Sequence, residues 1–256
     1  KEKDVWECLV GNAHTVKVGT RVDFGDKGLL VAECIEVKEE GLRLFRFFYK
    51  GIFREVLDSL GKMPLPPYIH AQLGDNSRYQ TVYAKVEGSA AAPTAGFHFT
   101  NELFASLEKK GVEVLDVTLN IGLGTFRPVK DDDIRKHDRH SEFIHRDQST
   151  ADKLNQAKKE KRRIIAVGTT STRTLETIYH QYGRFKATDE DTKLFIYPGF
   201  QYEAIDALIT NFHLPKSTLV RLVSAFSSRD NILNAYKHAV ENGYRFFSFG
   251  DARFIH

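Results

Sequence analysis

The feature that most constrains the fold is the stretch 204–226, where an apolar run, a polar loop and a helical pattern follow one another. The apolar run at 204–209 is short enough to be a buried strand. Pro215 lacks the N–H group that a sheet ladder needs, so extended pairing is expected to end before it. Ser217 or Thr218 then caps a helix. This order is typical of ligand sites in open α/β sheets, and an ordinary β–α connection explains it equally well.

Strand and helix patterns alternate from residue 112 to the end of the chain. Strands are predicted at 112–119, 163–167, 194–197, 204–209 and 244–249, and helices at 102–110, 150–161, 174–182, 219–226 and 232–241. Such alternation predicts an α/β fold with a mainly parallel sheet and flanking helices.

The first part of the chain has a different pattern. Short apolar runs at 5–10, 15–18, 21–24, 29–37 and 42–49 are separated by turn residues, which indicates a small barrel or folded sheet. A helix is predicted at 52–60, and three prolines between 64 and 67 indicate an extended link. We therefore predict a small β-barrel-like domain over residues 1–58 and an α/β catalytic domain over residues 59–256. Because the chain opens directly into strand-like sequence without Met, we expect the small domain to be incomplete.

Composition narrows the class of protein. The chain is 41% hydrophobic and 28% charged, which fits a globular protein. Cys8 and Cys34 lie in apolar runs, so we expect buried free thiols in a reducing cytoplasm. No apolar run approaches the length of a membrane span. A net charge of +3 is compatible with a nucleic-acid partner but does not identify one.

Polar segments stand at the ends of several predicted strands, at 122–127, 137–142, 168–173 and 211–218. The segment 168–173 places hydroxyl and N–H groups before a helix, which suits an anion or a carboxylate. The small residues at 88–96 allow a flat ligand to approach closely, or form a tight packing corner. The phosphate-binding glycine motifs of P-loop and dinucleotide-binding proteins are absent, which argues against both classes.

Four histidines are candidates for chemistry. His137 and His140 lie close to Glu142, but the spacing does not match a His-Glu-x-x-His zinc motif and a fourth ligand is not evident. Proton transfer is the better interpretation, because imidazole titrates near neutral pH and a carboxylate can orient it. His98 and His213 are further candidates, and each alone fits a structural histidine equally well.

Basic residues occur on a predicted strand and at a predicted helix end. Either they contact RNA or they form solvated surfaces, as most such clusters do. The candidates for RNA contact are Arg43, Arg46, Lys158, Lys159, Arg162 and Arg163.

Longer motifs carry a family resemblance, at 64–69, 79–84, 91–98, 122–129, 137–142, 166–176, 196–200, 210–226 and 244–251. Together they resemble the S-adenosylmethionine:tRNA ribosyltransferase-isomerase family, and residues 1–58 resemble its more variable inserted β-barrel. Compared with the family, this sequence lacks an N-terminal portion of the α/β domain. Asn120 and Asp138 stand where histidine occurs in family members, and Arg139, Arg221 and Arg253 stand where Met is expected.

The resemblance implies a tRNA-modifying enzyme of queuosine biosynthesis in the bacterial cytoplasm. The family moves the ribosyl group of S-adenosylmethionine onto 7-aminomethyl-7-deazaguanine at the tRNA wobble position, giving epoxyqueuosine and releasing adenine and methionine. S-adenosylmethionine is consumed, so neither a cofactor nor a metal is expected, and a monomer is favoured. Two other classes stay open, namely an S-adenosylmethionine-dependent RNA methyltransferase and a non-catalytic tRNA-binding protein.

Site residues follow from this resemblance and from the polar segments. The predicted catalytic residues are His140, Glu142, His137 and His213. The predicted substrate-binding residues are Tyr79, Gln80, Thr94, His98, Thr125, Arg127, Thr169, Thr170, Ser171, Arg173, Asn211, Lys216, Ser217 and Thr218. In this scheme the segment 168–173 holds the amino-acid end of the donor, and the small residues at 88–96 receive its adenine.

Overall fold

The structure is a computed structural model that describes residues 3–62, 65–66, 68–69, 74–122, 142–192, 194–215 and 217–256. For Lys27, Asn76, Asp191 and residues 142–146, it describes the backbone alone. The chain divides into two compact units, Lys1–Pro64 and Leu65–His256.

The first unit is an antiparallel four-stranded sheet followed by one helix. Its elements are β1 (Val5–Leu9), β2 (Arg21–Phe24), β3 (Leu30–Val37), β4 (Leu42–Tyr49) and α1 (Phe53–Leu60), with strand order β1-β4-β3-β2. Val16, Ala32, Cys34 and Phe45 form its buried core. Cys8 and Cys34 are free thiols, as predicted, although only Cys34 is fully buried.

The predicted barrel-like form of this unit is not confirmed. β1 and β2 are the two edges of the sheet, so the described strands do not close on themselves. The predicted strand at 15–18 would have been a further strand, but Thr15 ends the 3-10 helix Ala13–Thr15 and residues 16–18 form a loop. Asn12 precedes this helix in a left-handed conformation, which turns the chain out of an extended path.

The second unit is a mixed α/β structure. Its elements are α2 (Asn101–Lys109), β5 (Thr118–Asn120), β6 (Glu142–Arg146), α3 (Gln148–Lys159), β7 (Ile165–Val167), α4 (Gly168–Tyr182), β8 (Thr188–Thr192), β9 (Ala207–Asn211), α5 (Thr218–Phe226), α6 (Arg229–Glu241) and β10 (Ala252–Ile255). They include two three-stranded sheets, ordered β10-β9-β7 and β5-β6-β8. The α/β class is therefore confirmed.

The mainly parallel sheet is not confirmed. Among the described pairings of this unit, β7 with β9 is parallel, whereas β10 with β9, β5 with β6, and β6 with β8 are antiparallel. Two parallel strands are usually joined by a single helix, which brings the chain back to the end of the sheet where the first strand began. Two helices, α5 and α6, follow β9 instead. After α5 and α6 the chain is back at the end where β9 finished, so β10 runs in the opposite direction.

Several predicted boundaries change. The predicted strand at 244–249 is a loop, and the last strand is Ala252–Ile255 instead. The predicted strand at 194–197 is likewise not a strand, and β8 lies before it. Helix α4 already begins at Gly168, so the predicted polar loop 168–173 is the first part of a helix.

The main core surrounds the parallel pair β7–β9. Phe185, Ile196, Leu208 and Val223 are almost completely buried, as are parts of α3 and α6. Burying one such side chain stabilises the fold by about 1.5–3 kcal/mol. This packing fixes the ends of β7 and β9, where the next residues carry polar groups.

Candidate functional site

The candidate site lies where the parallel strands β7 and β9 end. Helix α4 begins directly after β7, and the 3-10 helix Thr94–His98 packs against both β9 and α4. The carboxyl ends of parallel strands are where open α/β sheets place their ligands. The fold therefore gathers the residues after both strands and the end of the small-residue segment into one region.

Asn211 connects the parts of this region. It is the last residue of β9 and only 2% exposed. Its Nδ2 lies 3.1 Å from Nε2 of His98, and Thr94 Oγ1 donates to its Oδ1 over 3.5 Å. A buried amide thus holds the ring of an exposed histidine. Three predicted substrate-binding residues, Thr94, His98 and Asn211, meet here.

The surroundings of His98 keep it neutral. Burial of part of the ring lowers its pKa, the carboxylate of Asp251 opposes this shift, and the guanidinium of Arg245 adds to it. The neutral ring has one protonated and one free nitrogen, so Nδ1 can accept a proton in the tautomer whose Nε2–H bonds to the amide of Asn211. His98 is therefore a neutral imidazole near pH 7, the state that can accept a proton.

The small residues next to His98 serve packing. A Cβ atom on Gly96 would collide with the hydroxyl of Tyr83 and lie 2.7 Å from Cγ2 of Thr81. Gly168 has φ +88°, a conformation that favours glycine, and a Cβ there would lie 3.7 Å from that of Ala95. At Gly96 the tight packing corner is thus the correct interpretation. Its effect is to let the 3-10 helix Thr94–His98 approach the segment that carries Thr81 and Tyr83.

The first turn of α4 is partly exposed beside this group. Thr169, Thr170 and Ser171 are half-buried, and Arg173 follows on the same helix. Val167, the capping residue, gives this described helix start no side-chain cap. Thr172 is buried, and its hydroxyl donates to the carbonyl of Gly168 over 3.0 Å. The N–H groups of the first turn are suited to an anion.

His213 has structural contacts. Its Nε2 lies 3.1 Å from Oγ1 of Thr210, and its backbone N–H donates to Tyr236 Oη over 2.8 Å. Burial and the charge of Arg253 lower its pKa to about 3. The Arg253 guanidinium lies over the rings of Phe212 and Tyr236, 5.2 and 4.6 Å from their centroids. These contacts accommodate an arginine where Met was expected, and a catalytic role for His213 stays a prediction.

Four other predicted binding residues have local roles. Tyr79 is only 4% exposed and packs between Phe97 and Phe249. Gln80 is exposed, and its Oε1 accepts the N–H of the next residue. Ser217 caps α5 by accepting from the backbone of Val220, which confirms the predicted cap. Thr218 is the half-buried first residue of that helix.

Part of the predicted site lies outside the described residues, namely Thr125, Arg127, His137, His140 and Lys216. Asp138 and Arg139, which differ from the family pattern, lie outside them as well. The backbone of Glu142 is described, and it pairs with Thr192 in the β6–β8 ladder. The roles of these residues stay predictions.

Arg43 does not fit its predicted contact with RNA. It is buried, and its guanidinium donates to the carbonyls of Val16 (2.9 Å), Lys38 (3.0 Å), Leu42 (2.7 Å) and Ala13. A guanidinium that satisfies four backbone carbonyls has its donors occupied. Arg43 therefore holds together the loops at one end of the first sheet.

The other basic candidates differ in their partners. Arg162 forms ion pairs with Glu160 (2.6 Å) and Glu113 (3.2 Å). Lys158 lies 4.0 Å from Asp206, with its ammonium over the ring of Tyr179. Lys159 and Arg163 are exposed, and Arg46 is half-buried on β4.

One buried carboxylate, that of Glu176, is not among the residues predicted for the site. Glu176 of α4 is fully buried, and its oxygens accept the backbone N–H groups of Glu203, Ala204 and Ile205. The sequence carries a signal for it, because Glu176 follows Leu175 on the apolar face of the predicted helix. A carboxylate at such a position requires partners.

The sequence profile of a family described as queuosine biosynthesis proteins matches residues 1–255. The chain belongs to this family.

Individual relatives agree with the family. An S-adenosylmethionine:tRNA ribosyltransferase-isomerase of Staphylococcus haemolyticus is 60% identical over 254 residues, which cover 99% of this chain and 74% of the relative. The enzyme of the same name from Staphylococcus aureus (strain Newman) is 59% identical with the same coverage. A crystal structure of an S-adenosylmethionine tRNA ribosyltransferase from Thermotoga maritima is also similar, with 35% sequence identity and a TM-score of 0.52. The match covers 100% of this chain and 71% of the Thermotoga maritima chain. The resemblance drawn from the sequence motifs is confirmed.

None of the helices among the described residues combines the length and the apolar character needed to cross a membrane.

Proposed function

We propose that this protein moves the ribosyl group of S-adenosylmethionine onto 7-aminomethyl-7-deazaguanine at the wobble position of a tRNA. The product is epoxyqueuosine, and adenine and methionine are released. The observation that carries this proposal is the 59–60% identity, over 99% of the chain, to relatives that bear the name of this activity. The matched span of 254 residues covers 99% of the chain, so it includes the strand ends that border the candidate site.

The donor fits the region around His98 and α4. The methionine end of S-adenosylmethionine carries a carboxylate, which the N–H groups at Thr169–Ser171 and the guanidinium of Arg173 would bind. Thr94, which contacts the buried Asn211, lies on the 3-10 helix that packs against α4 and would offer its hydroxyl to the ribose. We assign the chemistry to the unit Leu65–His256 because these residues all belong to it.

The reaction needs a group that accepts a proton. The ribose carbon attached to sulfur is acidified by the positive sulfonium, so removing one of its protons is a reasonable first step. His98 meets the requirement among the described residues when its Nε2–H bonds to the amide of Asn211, because Nδ1 of the exposed, neutral ring is then free to accept a proton. His140 with Glu142 is the alternative that the sequence predicts.

The proposed reaction has two substrates. They are a tRNA with the modified wobble base and S-adenosylmethionine. Because the sulfonium itself activates the ribose, we expect no metal and no further cofactor. We expect a monomer that works in the cytoplasm.

The products decide between this activity and its two rivals. Parent protein is incubated with S-adenosylmethionine and a tRNA that carries the aminomethyl base, and the small molecules and the tRNA nucleosides are separated by chromatography and identified by mass. We expect free adenine, free methionine and epoxyqueuosine. S-adenosylhomocysteine without free adenine would indicate a methyltransferase instead. Binding of tRNA without any product would indicate a non-catalytic binding protein.

A further inference from the structure

The loop Arg245–Asp251 has a tightly fixed shape next to His98. Arg245 donates to the carboxylate of Asp251 from its backbone N–H (2.7 Å) and from Nη2 (3.0 Å). Inside the loop, Phe247 has φ 70°, and Gly250 N–H donates to its carbonyl over 3.1 Å. A left-handed conformation is unfavourable for a bulky residue, so the surrounding contacts must hold it. This turn presents Phe249 at the surface.

The ring of Phe249 packs against two other aromatic rings and is still partly exposed. Its centroid lies 5.7 Å from that of Tyr79 and 5.9 Å from that of Phe97. Tyr68 Oη lies 2.7 Å from Oγ of the buried Ser248, which anchors the preceding residue. Phe249 nevertheless remains 37% exposed. A large apolar ring that is both rigidly held and exposed is a common feature of binding surfaces.

A cation completes this surface. The exposed guanidinium of Arg78 lies over Phe249, with its carbon 6.0 Å from the ring centroid. Arg78 is fixed in a short 3-10 helix, Asn76–Tyr79, which Asp75 caps by accepting from Ser77 N over 2.8 Å. Aromatic rings and guanidinium planes are the groups on which unpaired RNA bases stack.

We propose that Phe249 and Arg78 bind an unpaired base of the tRNA anticodon loop by stacking. This inference rests on the proposed function, because that function brings an anticodon loop to the site. The openness of the ring and the positive charge beside it favour a base carried on a phosphate chain over the donor's adenine, since small ligands are mostly enclosed. Phe97 and His98 are consecutive residues, so a base stacked here lies beside the group proposed to accept the proton.

The test replaces the ring by a smaller side chain that is still apolar. Phe249→Leu preserves apolar contact with Tyr79 but removes the π face, whereas Phe249→Tyr keeps that face. Arg78→Gln removes the cation. The matched control is Phe254→Leu, an exposed phenylalanine of β10 in the same unit. Binding of tRNA is measured by fluorescence anisotropy at one fixed salt concentration, binding of S-adenosylmethionine by calorimetry, and folding by thermal denaturation.

We expect Phe249→Leu to raise the Kd for tRNA by about fivefold to a hundredfold, the range for one stacked base. Arg78→Gln should also weaken tRNA binding, whereas Phe249→Tyr and Phe254→Leu should bind tRNA as the parent does. The Kd for S-adenosylmethionine and the melting temperature should not change.

Three results would overturn the inference: an unchanged Kd for tRNA in Phe249→Leu, an equal loss in Phe254→Leu, or weaker binding of S-adenosylmethionine in place of tRNA. The last result would place the donor's adenine on this ring. Adenine release by the parent protein is measured in parallel. If the parent releases adenine but Phe249→Leu binds tRNA normally, this inference alone fails. If the parent releases none, the proposed function fails, and the tRNA binding data still test the stacking surface.

Discussion

At the scale of single residues, His98 combines an exposed ring with a fixed partner on one nitrogen. His98→Gln retains an amide that can bond to Asn211 but cannot accept a proton near neutral pH. We expect adenine release to slow by about a hundredfold or more, the usual contribution of one general base. Binding of both substrates should change little, because the side chain keeps its place. Rapid-quench measurement of adenine, with separate binding titrations, checks this.

The matched control for that change is His238→Gln, another exposed histidine, which lies on α6. It should release adenine at the parent rate. His140→Gln and Glu142→Gln belong in the same series. If His98→Gln retains the parent rate while either of these two loses it, the proton acceptor lies in the group that the sequence predicts.

The charge of Asp251 acts on the pKa of His98. Its carboxylate favours protonated His98, so Asp251→Asn should lower the pKa of His98 further. A general base is active when unprotonated, so activity is lost as the pH falls through its pKa. We therefore expect the acid limb of the kcat/KM profile to move to lower pH in Asp251→Asn. An acid limb that stays in place or moves to higher pH would argue against His98.

Sequence reasoning found Thr94, His98 and Asn211 one by one but not as a group. His98 and Asn211 are 113 residues apart, and no local pattern reports which loop will meet which strand end. Arg43 shows the opposite problem. Its alternation with apolar residues indicated an exposed cation, yet the loops at the end of the sheet surround it with carbonyl groups.

At the scale of elements, Glu176 connects helix α4 to the segment that leads into β9. Its oxygens accept three backbone N–H groups, those of Glu203 and Ala204 at 3.0 Å and that of Ile205 at 3.1 Å. Nε2 of His180 lies 3.4 Å from the same carboxylate. The strand and the helix that border the candidate site thus share one buried acceptor.

Replacing that acceptor should be costly. Glu176→Gln puts an amide donor among backbone N–H donors, so at least one buried N–H loses its partner. We expect the free energy of unfolding to fall by about 2–4 kcal/mol, measured by urea denaturation. The control Glu203→Gln changes an exposed side chain nearby and should leave stability unchanged. Equal stability of Glu176→Gln and the parent would show that the loop does not depend on this carboxylate.

Helices were easier to predict than strand pairing. The apolar spacing and the caps Thr100 and Ser217 placed α2 and α5 to within one residue at their starts. β8, which reads Thr-Asp-Glu-Asp-Thr, has no apolar alternation, and its place in the sheet depends on β6. The aromatic run at 244–249 has a strand composition, but Phe247 turns left-handed and the rings pack as a loop. The composition of a segment indicates whether it is buried, whereas the pairing of a strand depends on residues that are distant in the sequence.

At the scale of the whole molecule, charge governs how a tRNA would be held. The net charge of +3 is modest, so the distribution of cations matters more than their number. Arg43 is buried, and Arg162 is shared by two carboxylates. Lys159 and Arg163, at the end of α3 and just beyond it, are exposed. These two are therefore the better candidates of the predicted cluster for phosphate contacts.

Salt dependence tests this choice. Each phosphate contact releases a counterion, so the plot of log K against log salt has a slope of about −0.7 per contact on a single strand. Replacing Lys159 and Arg163 together by Gln should make this slope shallower by about 1.4. Arg162→Gln should change it less, because Arg162 would first have to leave Glu113 and Glu160. Lys237→Gln, on α6, is the control for a general loss of charge. If the double variant keeps the parent slope, the RNA backbone does not contact the end of α3, and the cations that bind it lie elsewhere in the chain.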